Sequence, residues 1–192
     1  MTKHGNDQFL TKLFAENFQR LNGLAETAST PQEAASKAVR LIASNGGKSV
    51  YKLKLFQEID EEVSKTLSEA GLESAVPSNL ETSVDVVKRV DAGISTAVAA
   101  VAETGTLVEA AYDDVERLTS SFPKIHIVFV KASTVVAKVE ELSGLIRRTF
   151  QNARQATVTF ISGPSRSGDI EQRIVVGLHG PHVVGAVVLS WL

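Results

Sequence analysis

Two apolar runs late in the chain constrain its fold most strongly. Residues 125–130 read IHIVFV and residues 183–191 begin with VVGAVVL, so both runs place apolar side chains on both faces of a strand. Such sequences are typical of central strands in a parallel sheet that helices cover on both faces. Similar short runs, separated by glycine and polar turns, predict further strands. These are residues 94–102, 106–110 and 157–161.

Stretches with helical spacing alternate with these runs. Their apolar residues recur every three or four positions, which is typical of helices that bury one stripe. Thr30 and Pro31 predict the start of one helix, and Asn45 with the two following glycines predicts its end. Residues 49–55 alternate instead, which predicts a short strand with one solvated face at a sheet edge. The helical stretches are residues 9–25, 30–45, 59–70, 80–90, 135–146 and 170–178.

This alternation of strands and helices predicts an α/β fold. We expect a mostly parallel sheet sandwiched by helices and joined by right-handed crossovers. The chain has 192 residues, the size of one domain, so residues 1–192 are expected to form a single α/β domain. Residues 1–47 are expected to contribute N-terminal helices that pack on the sheet or extend from it. The stripe in residues 9–25 marks a docking helix.

Composition excludes several classes of function. Twenty basic and 22 acidic residues give a net charge of −2, which offers no attraction to nucleic acid or to an anionic membrane. The absence of cysteine excludes disulfides, a thiolate nucleophile and cysteine-ligated zinc or iron–sulfur sites on these residues. The polar first residues, and the lack of an apolar run of about 20 residues, lead us to expect a cytoplasmic protein without a membrane span.

The loop after the predicted strand 157–161 is the first candidate site, because ligands of open α/β sheets bind beyond the strand ends. Serine hydroxyls and an arginine there can bind an anion, such as a small carboxylate or a phosphate, at the start of the next predicted helix. Alternatively, a serine caps that helix while Asp169 and Glu171 complement its dipole. The candidate ligand-binding residues of this loop are Gly163, Ser165, Arg166 and Ser167.

The second candidate site is the turn formed by Glu103, Thr104, Gly105 and Thr106. A lone carboxylate beside Thr-Gly-Thr resembles an acid held near a ligand, where partial burial favours general-base chemistry. The alternative is a tight turn in which glycine adopts a positive φ and the threonines bond to the backbone. Glu103 is therefore a candidate catalytic residue.

The sequence gives less support for a serine nucleophile or for a metal site. The segment 163–168 is one residue too long for the nucleophile elbow of α/β-hydrolases, although His179 offers a base. His126 is either a core histidine with satisfied hydrogen bonds or a ligand-binding residue that reaches the crevice. Glycine and proline between His179 and His182 predict a turn, so we expect no metal site.

Four segments, in order, resemble the signature of the LUD domain family, and specifically its lactate utilisation protein C group. They are residues 102–108 (AETGTLV), 123–128 (PKIHIV), 163–171 (GPSRSGDIE) and 177–181 (GLHGP). The resemblance implies a fold like that of the NagB/RpiA/CoA-transferase group. It also implies a role in oxidising L-lactate to pyruvate, with iron–sulfur clusters on partner proteins and no cofactor bound by this chain.

The resemblance also marks individual residues. The candidate catalytic residues are Glu103, Asp169 and His179. The candidate ligand-binding residues are Thr104, Gly105, Thr106, His126, Gly163, Ser165, Arg166, Ser167 and Glu171. Ser167 departs from the family pattern, because threonine is common there. Residues 182–185 (HVVG) stand where the family usually has a basic residue and then a histidine, which implies the loss of a ligand contact at Gly185.

The sequence leaves three functions open. The first is a cluster-free subunit or accessory protein of an L-lactate oxidation system, with iron–sulfur lactate utilisation proteins as partners and a small carboxylate or phosphorylated ligand. The second is a stand-alone sugar-phosphate isomerase or acyl/CoA-transferase-type enzyme that uses Glu103 as base or nucleophile. The third is a non-catalytic assembly module with residues 9–25 as its contact surface. The chain is also a candidate to form a homo-oligomer.

Overall fold

The computed structural model describes residues 3–75, 85–153, 156–168, 174–176 and 180–192. Within these residues the helices of more than one turn are, in chain order, α1 (Lys3–Arg20), α2 (Pro31–Ser44), α3 (Gln57–Glu69), α4 (Asp114–Thr119) and α5 (Ser143–Asn152). The strands are β1 (Leu24–Ala28), β2 (Ser49–Lys52), β3 (Glu73–Ser74), β4 (Ala92–Thr96), β5 (Ala99–Val101), β6 (Thr106–Ala111), β7 (Ile125–Lys131), β8 (Val135–Val136), β9 (Thr157–Ile161), β10 (Arg166–Gly168), β11 (Ile174–Val176) and β12 (Val183–Leu189).

A six-stranded sheet in the order β1-β12-β7-β4-β2-β3 forms the middle layer, and every neighbouring pair in it is parallel. The central strands β7 and β12 are buried on both faces, as their apolar sequences predicted. Ile127 and Val187 face the core beneath α2 and α3. Val128 and Ala186 face the core beneath α1. The α/β fold with a mostly parallel sheet between helices is therefore confirmed.

A second sheet, in the order β8-β5-β6-β9, lies on the α1 side of the first, and the sequence did not predict it. β6 runs antiparallel to both β5 and β9. The apolar run 94–102 is thus divided between β4 and β5, which belong to different sheets. Leu142 at the start of α5 packs with Val101 and Val108 on the outer face of this second sheet.

The helix predicted at residues 9–25 is shorter at its C-terminal end, because α1 ends at Arg20 and Ala25 lies in β1. Asn22, with φ of 65°, turns the chain between the two elements. Phe14 and Phe18 are fully buried against the chain's own sheets. Most of the apolar stripe is consequently used within the domain, although Phe9 is exposed. The hypothesis that residues 9–25 form a contact surface for another protein stays a prediction.

The predicted cap of α2 is confirmed. The Thr30 hydroxyl accepts a hydrogen bond from the Glu33 backbone N–H, and Pro31 occupies the first helical position. α3 begins and ends close to its predicted limits. β2 ends earlier than predicted and does not lie at an edge, since it pairs with both β3 and β4. Of the helix predicted at 80–90, residues 80–84 lie outside the described residues, and residues 85–87 are helical.

Two further helix predictions are wrong. Residues 135–146 are divided between β8, a 3₁₀ turn at Val139–Leu142 and the start of α5. Residues 174–176, predicted to be helical, form β11, which pairs antiparallel with β10. Both segments contain adjacent β-branched residues, which fit strands better than helix interiors.

Candidate functional site

The turn between β5 and β6 lies against the C-terminal part of α1. The Asn17 side-chain amide donates hydrogen bonds to the carbonyl oxygens of Ala102, at 2.8 Å, and Glu103, at 3.2 Å. Gly105 has φ of +59°, and a Cβ there would lie 2.3 Å from the Phe18 backbone nitrogen. The turn therefore needs glycine, both for its backbone conformation and for its close approach to the helix.

A chain of hydroxyl groups joins this turn to the loop after β9. Thr104 Oγ1 lies 2.8 Å from Thr106 Oγ1, which lies 2.8 Å from Ser162 Oγ. Thr106 is buried, whereas Thr104 and Ser162 are exposed. The two segments singled out in the sequence, 103–106 and 163–166, are thus brought together. Sequence reasoning missed Asn17, and it placed Ser162 in the candidate loop without assigning it a role.

Arg166 also reaches the end of α1. Its Nη2 donates a hydrogen bond to the carbonyl oxygen of Leu21 at 3.1 Å. Gly163, with φ of +93°, approaches the same carbonyl so closely that a Cβ would lie 2.4 Å from its oxygen. Since Arg166 begins β10, the prediction of a helix N-terminus at this position is wrong. The prediction that backbone N–H groups of such a terminus bind an anion therefore does not hold at Arg166.

Ser165 lies beside the Gly-Pro turn that precedes β12. Its backbone N–H donates to the Pro181 carbonyl at 3.0 Å, and a Cβ on Gly180 would lie 3.0 Å from Ser165 Cβ. A third motif segment is therefore part of the same cluster. The placements of Asp169, Glu171 and His179, and the side chain of Ser167, lie outside what the structure describes.

Glu103 is exposed at the rim of this cluster. One carboxylate oxygen accepts a hydrogen bond from the Val139 backbone N–H at 3.1 Å, at the start of the 3₁₀ turn. An acid at the start of a helical turn satisfies an N–H group that has no partner within the turn. The carboxylate thus has a structural contact in addition to any role toward a ligand.

His126 is fully buried between the two sheets. Its Nε2 lies 2.8 Å from Ser95 Oγ and 3.3 Å from a Glu109 carboxylate oxygen, and the Ser95 hydroxyl donates a hydrogen bond to Glu109. Because the Ser95 hydroxyl gives its proton to Glu109, its oxygen can accept a hydrogen bond from Nε2, whereas the buried Nδ1 has no hydrogen-bond partner among the described residues. The ring joins β7, β4 and β6 as a core histidine, so it does not reach an open crevice.

Glu109 is the acid of this buried group. Burial by itself would raise the pKa of Glu109, but attraction to His126 and hydrogen bonds from His126, Ser95 and Ser120 lower it below its ordinary value. A cavity of about 80 Å³ adjoins Ser95 and Glu109, with Lys54 and Glu116 at its wall. Its volume suits about two water molecules. Glu109 was not identified from the sequence.

Comparison with known proteins identifies the family. The family model of the LUD domain matches residues 11–189. The chain belongs to the LUD domain family. Lactate utilization protein C of Bacillus subtilis (strain 168) is 31% identical over 112 residues, which cover 57% of this chain and 47% of that protein. Lactate utilization protein C of Exiguobacterium sp. (strain ATCC BAA-1283 / AT1b) is 35% identical over 114 residues, 58% of this chain and 50% of that protein.

This LUD domain therefore spans about half the length of the curated relatives it matches. Among solved structures, a DUF162 family protein from Deinococcus radiodurans superposes with a TM-score of 0.65 at 16% sequence identity. The match covers 95% of this chain and 98% of that one. The likeness confirms the fold, and the relatives' name associates the family with lactate utilisation.

Gly185 has a structural explanation within this LUD domain. A Cβ at this position of β12 would lie 2.8 Å from Ile127 Cδ1 and 3.1 Å from Leu41 Cδ1. A side chain there would enter the core beneath α2, so the expectation that glycine removes a ligand contact is wrong.

The described residues contain no group of three or more histidine, aspartate and glutamate side chains that could hold a metal ion. No helix within them is long and apolar enough to cross a membrane.

Proposed function

We propose that this LUD domain is a cluster-free component of a system that oxidises L-lactate to pyruvate. The observation that carries the proposal is its match to proteins named Lactate utilization protein C. The convergence of three motif segments at the end of α1 supports it, because residues far apart in the chain meet at one surface. The chemistry proposed below concerns that surface, which we call the α1-end cluster (Asn17, Leu21, 103–106, 162–166 and 180–181).

Oxidation of lactate to pyruvate releases two electrons and two protons. The 192 residues contain no cysteine, so no iron–sulfur cluster is held here by thiolates of this chain. We assign the electrons to iron–sulfur clusters on partner proteins, each of which accepts one electron at a time. On this assignment, the chain itself either binds the substrate or docks the partner proteins.

Arg166 is the group we assign to the lactate carboxylate. A guanidinium has five N–H donors, and the bond to Leu21 uses one of them. Carbonyl groups at the C-terminal end of a helix carry partial negative charge, which by itself repels an anion. Binding of a carboxylate at the α1-end cluster therefore depends on the Arg166 charge, with the exposed hydroxyls of Thr104 and Ser162 as further donors.

Glu103 is the group we assign to accept the proton of the lactate hydroxyl. It is exposed beside Thr104 in the same turn, and a carboxylate is a common general base. In the complete step the hydroxyl proton passes to Glu103, the C2 proton passes to water, and the two electrons of the C2–H bond pass one at a time to the partners' clusters. The carbon–oxygen double bond of pyruvate forms as these groups leave.

The proposal is tested by reconstituting lactate-dependent dye reduction from this chain and iron–sulfur lactate utilisation proteins. Arg166→Ala should raise the lactate concentration needed for half the maximal rate by at least tenfold, because a charged hydrogen bond to the carboxylate is lost. Arg40→Ala is the matched control, since Arg40 pairs with Glu26 and lies on α2, on the opposite face of the main sheet from α1. Equal lactate dependence in the two variants would contradict the assignment of Arg166.

A further inference from the structure

An open cavity of about 370 Å³ lies at the other end of α1. Asp7, Gln8 and Thr11 from the first half of α1 form one wall, and Thr27 of β1 forms part of another. The segments that follow β7 and β12 complete it with Ser133 and Trp191. The cavity residues of α1 precede Asn17 and Leu21 by about ten positions, roughly 15 Å of helix, so this cavity is separate from the α1-end cluster.

The position and size of the cavity are those of a ligand site. β1, β12 and β7 are parallel neighbours, and their carboxyl ends meet at the cavity. Parallel α/β sheets bind their ligands beyond the carboxyl ends of the strands. A volume of about 370 Å³ lies within the range of small-molecule sites.

Thr11 provides an independent observation. The residue is 7% exposed, and its hydroxyl is buried without a hydrogen-bond partner among the described residues. Buried hydroxyls are normally paired, because an unpaired one loses its bond to water and gains nothing in return. A ligand group that reached this hydroxyl from the cavity would supply the missing bond.

The residues that line the cavity favour one class of ligand. The described lining residues include an aspartate, a glutamine, several hydroxyls and an indole, and no lysine or arginine. Lys37, which donates to the Thr27 carbonyl from nearby, is paired with Glu33. A carboxylate without a cation repels anions and accepts hydrogen bonds from hydroxyl groups, while an indole contacts the flat face of a ring.

We propose that this cavity binds a neutral, hydroxyl-rich ring compound, a free sugar or the sugar of a nucleoside. Asp7 and Gln8 hydrogen-bond the ring hydroxyls, Thr11 pairs its buried hydroxyl with one of them, and Trp191 covers one face of the ligand. The site is distinct from the proposed carboxylate site at Arg166, so either can fail without the other.

Trp191 allows a direct test, because it is the chain's single tryptophan and lines the cavity. Its fluorescence is titrated with D-ribose, adenosine, adenosine 5′-monophosphate and L-lactate. We expect a saturable change with adenosine, and a change with D-ribose as well if the sugar alone is recognised. The two anions should bind more weakly than adenosine or leave the emission unchanged.

Substitutions of residues that line the cavity separate specific binding from a general effect on fluorescence. Thr11→Val keeps the shape and removes the hydroxyl, and should weaken adenosine binding about fivefold, as should Asp7→Asn. Thr66→Val is the control, since Thr66 lies on α3, on the other side of the main sheet, with its hydroxyl bonded to Glu62. Circular dichroism verifies that each variant is folded. No response to either neutral probe, tighter binding of an anion, or unchanged affinity in Thr11→Val and Asp7→Asn would overturn the proposal.

Discussion

The guanidinium of Arg166 donates a hydrogen bond to the carbonyl oxygen of Leu21, a residue 145 positions earlier in the chain. The bond joins the start of β10 to the turn that follows α1. A cation at this end of a helix is favoured by the helix dipole and by the carbonyls that lack partners. The contact therefore gives Arg166 a structural role in addition to the proposed binding of a carboxylate.

Replacing Arg166 by alanine should lower the free energy of unfolding by about 1 kcal/mol, the usual contribution of one exposed, charge-assisted hydrogen bond. Urea denaturation of the purified chain measures this change. Arg166→Lys should recover part of the loss, because it restores the charge but not the geometry. A loss above about 3 kcal/mol would mean that Arg166 holds more of the fold than this bond.

Gly105→Ala should destabilise the domain by more than about 2 kcal/mol. The added Cβ would meet the Phe18 backbone nitrogen at 2.3 Å, and the backbone φ of +59° disfavours alanine. Gly46→Ala is the matched control, since Gly46 has φ of +79° but no atom within 4 Å of the added Cβ. Its expected cost is about 1 kcal/mol. Equal losses of stability in the two variants, measured by thermal unfolding, would contradict the close contact between the turn and α1.

His126→Leu should cost about 3 kcal/mol or more, because it leaves the buried Glu109 carboxylate without the ring nitrogen that lies 3.3 Å away. The double variant with Glu109→Gln removes the charge as well, and should lose less than the sum of the two single variants. Denaturant unfolding of all four proteins gives the coupling. Strict additivity would contradict the buried interaction between these side chains.

Glu33 predicts a pH dependence. Hydrogen bonds from the Lys37 ammonium, the Ser29 hydroxyl and the Ser29 N–H lower the pKa of Glu33 from 4.5 to about 2. A carboxylate with a lowered pKa in the folded state stabilises the fold above its unfolded pKa, and that contribution disappears as the pH falls toward the folded value. The stability difference between wild type and Glu33→Gln should be constant above pH 5 or so and shrink between about pH 4.5 and pH 2. Unfolding curves across this range measure it, and a difference independent of pH would contradict the expectation.

The sequence predicted the main sheet well, because the strands at its centre are apolar on both faces and the helices between them have clear periodicity. It did not predict the second sheet, whose pairings join residues such as Val108 and Phe160 from distant segments. Glu109 was overlooked since a lone acid in a strand suggests a solvated face. Here both faces of β6 are covered, and Ser95 and His126 provide the partners.

The candidate site was predicted only in part. Residues 103–106 and 163–166 were singled out, and the structure brings them together, but nothing in their sequences indicated that α1 would hold them through Asn17 and Leu21. Local patterns carry no information on such contacts. The same limit explains why the loop at Arg166 was expected to begin a helix, when its conformation is set by pairing with residues 174–176.

The most direct test of the central claim is the rate of lactate-dependent dye reduction by iron–sulfur lactate utilisation proteins with and without this chain. We predict that adding the chain restores a rate that is otherwise lost, and that pyruvate accumulates as one molecule for every two electrons delivered to the dye. Pyruvate formation at the same rate in the absence of the chain would contradict its role in lactate oxidation.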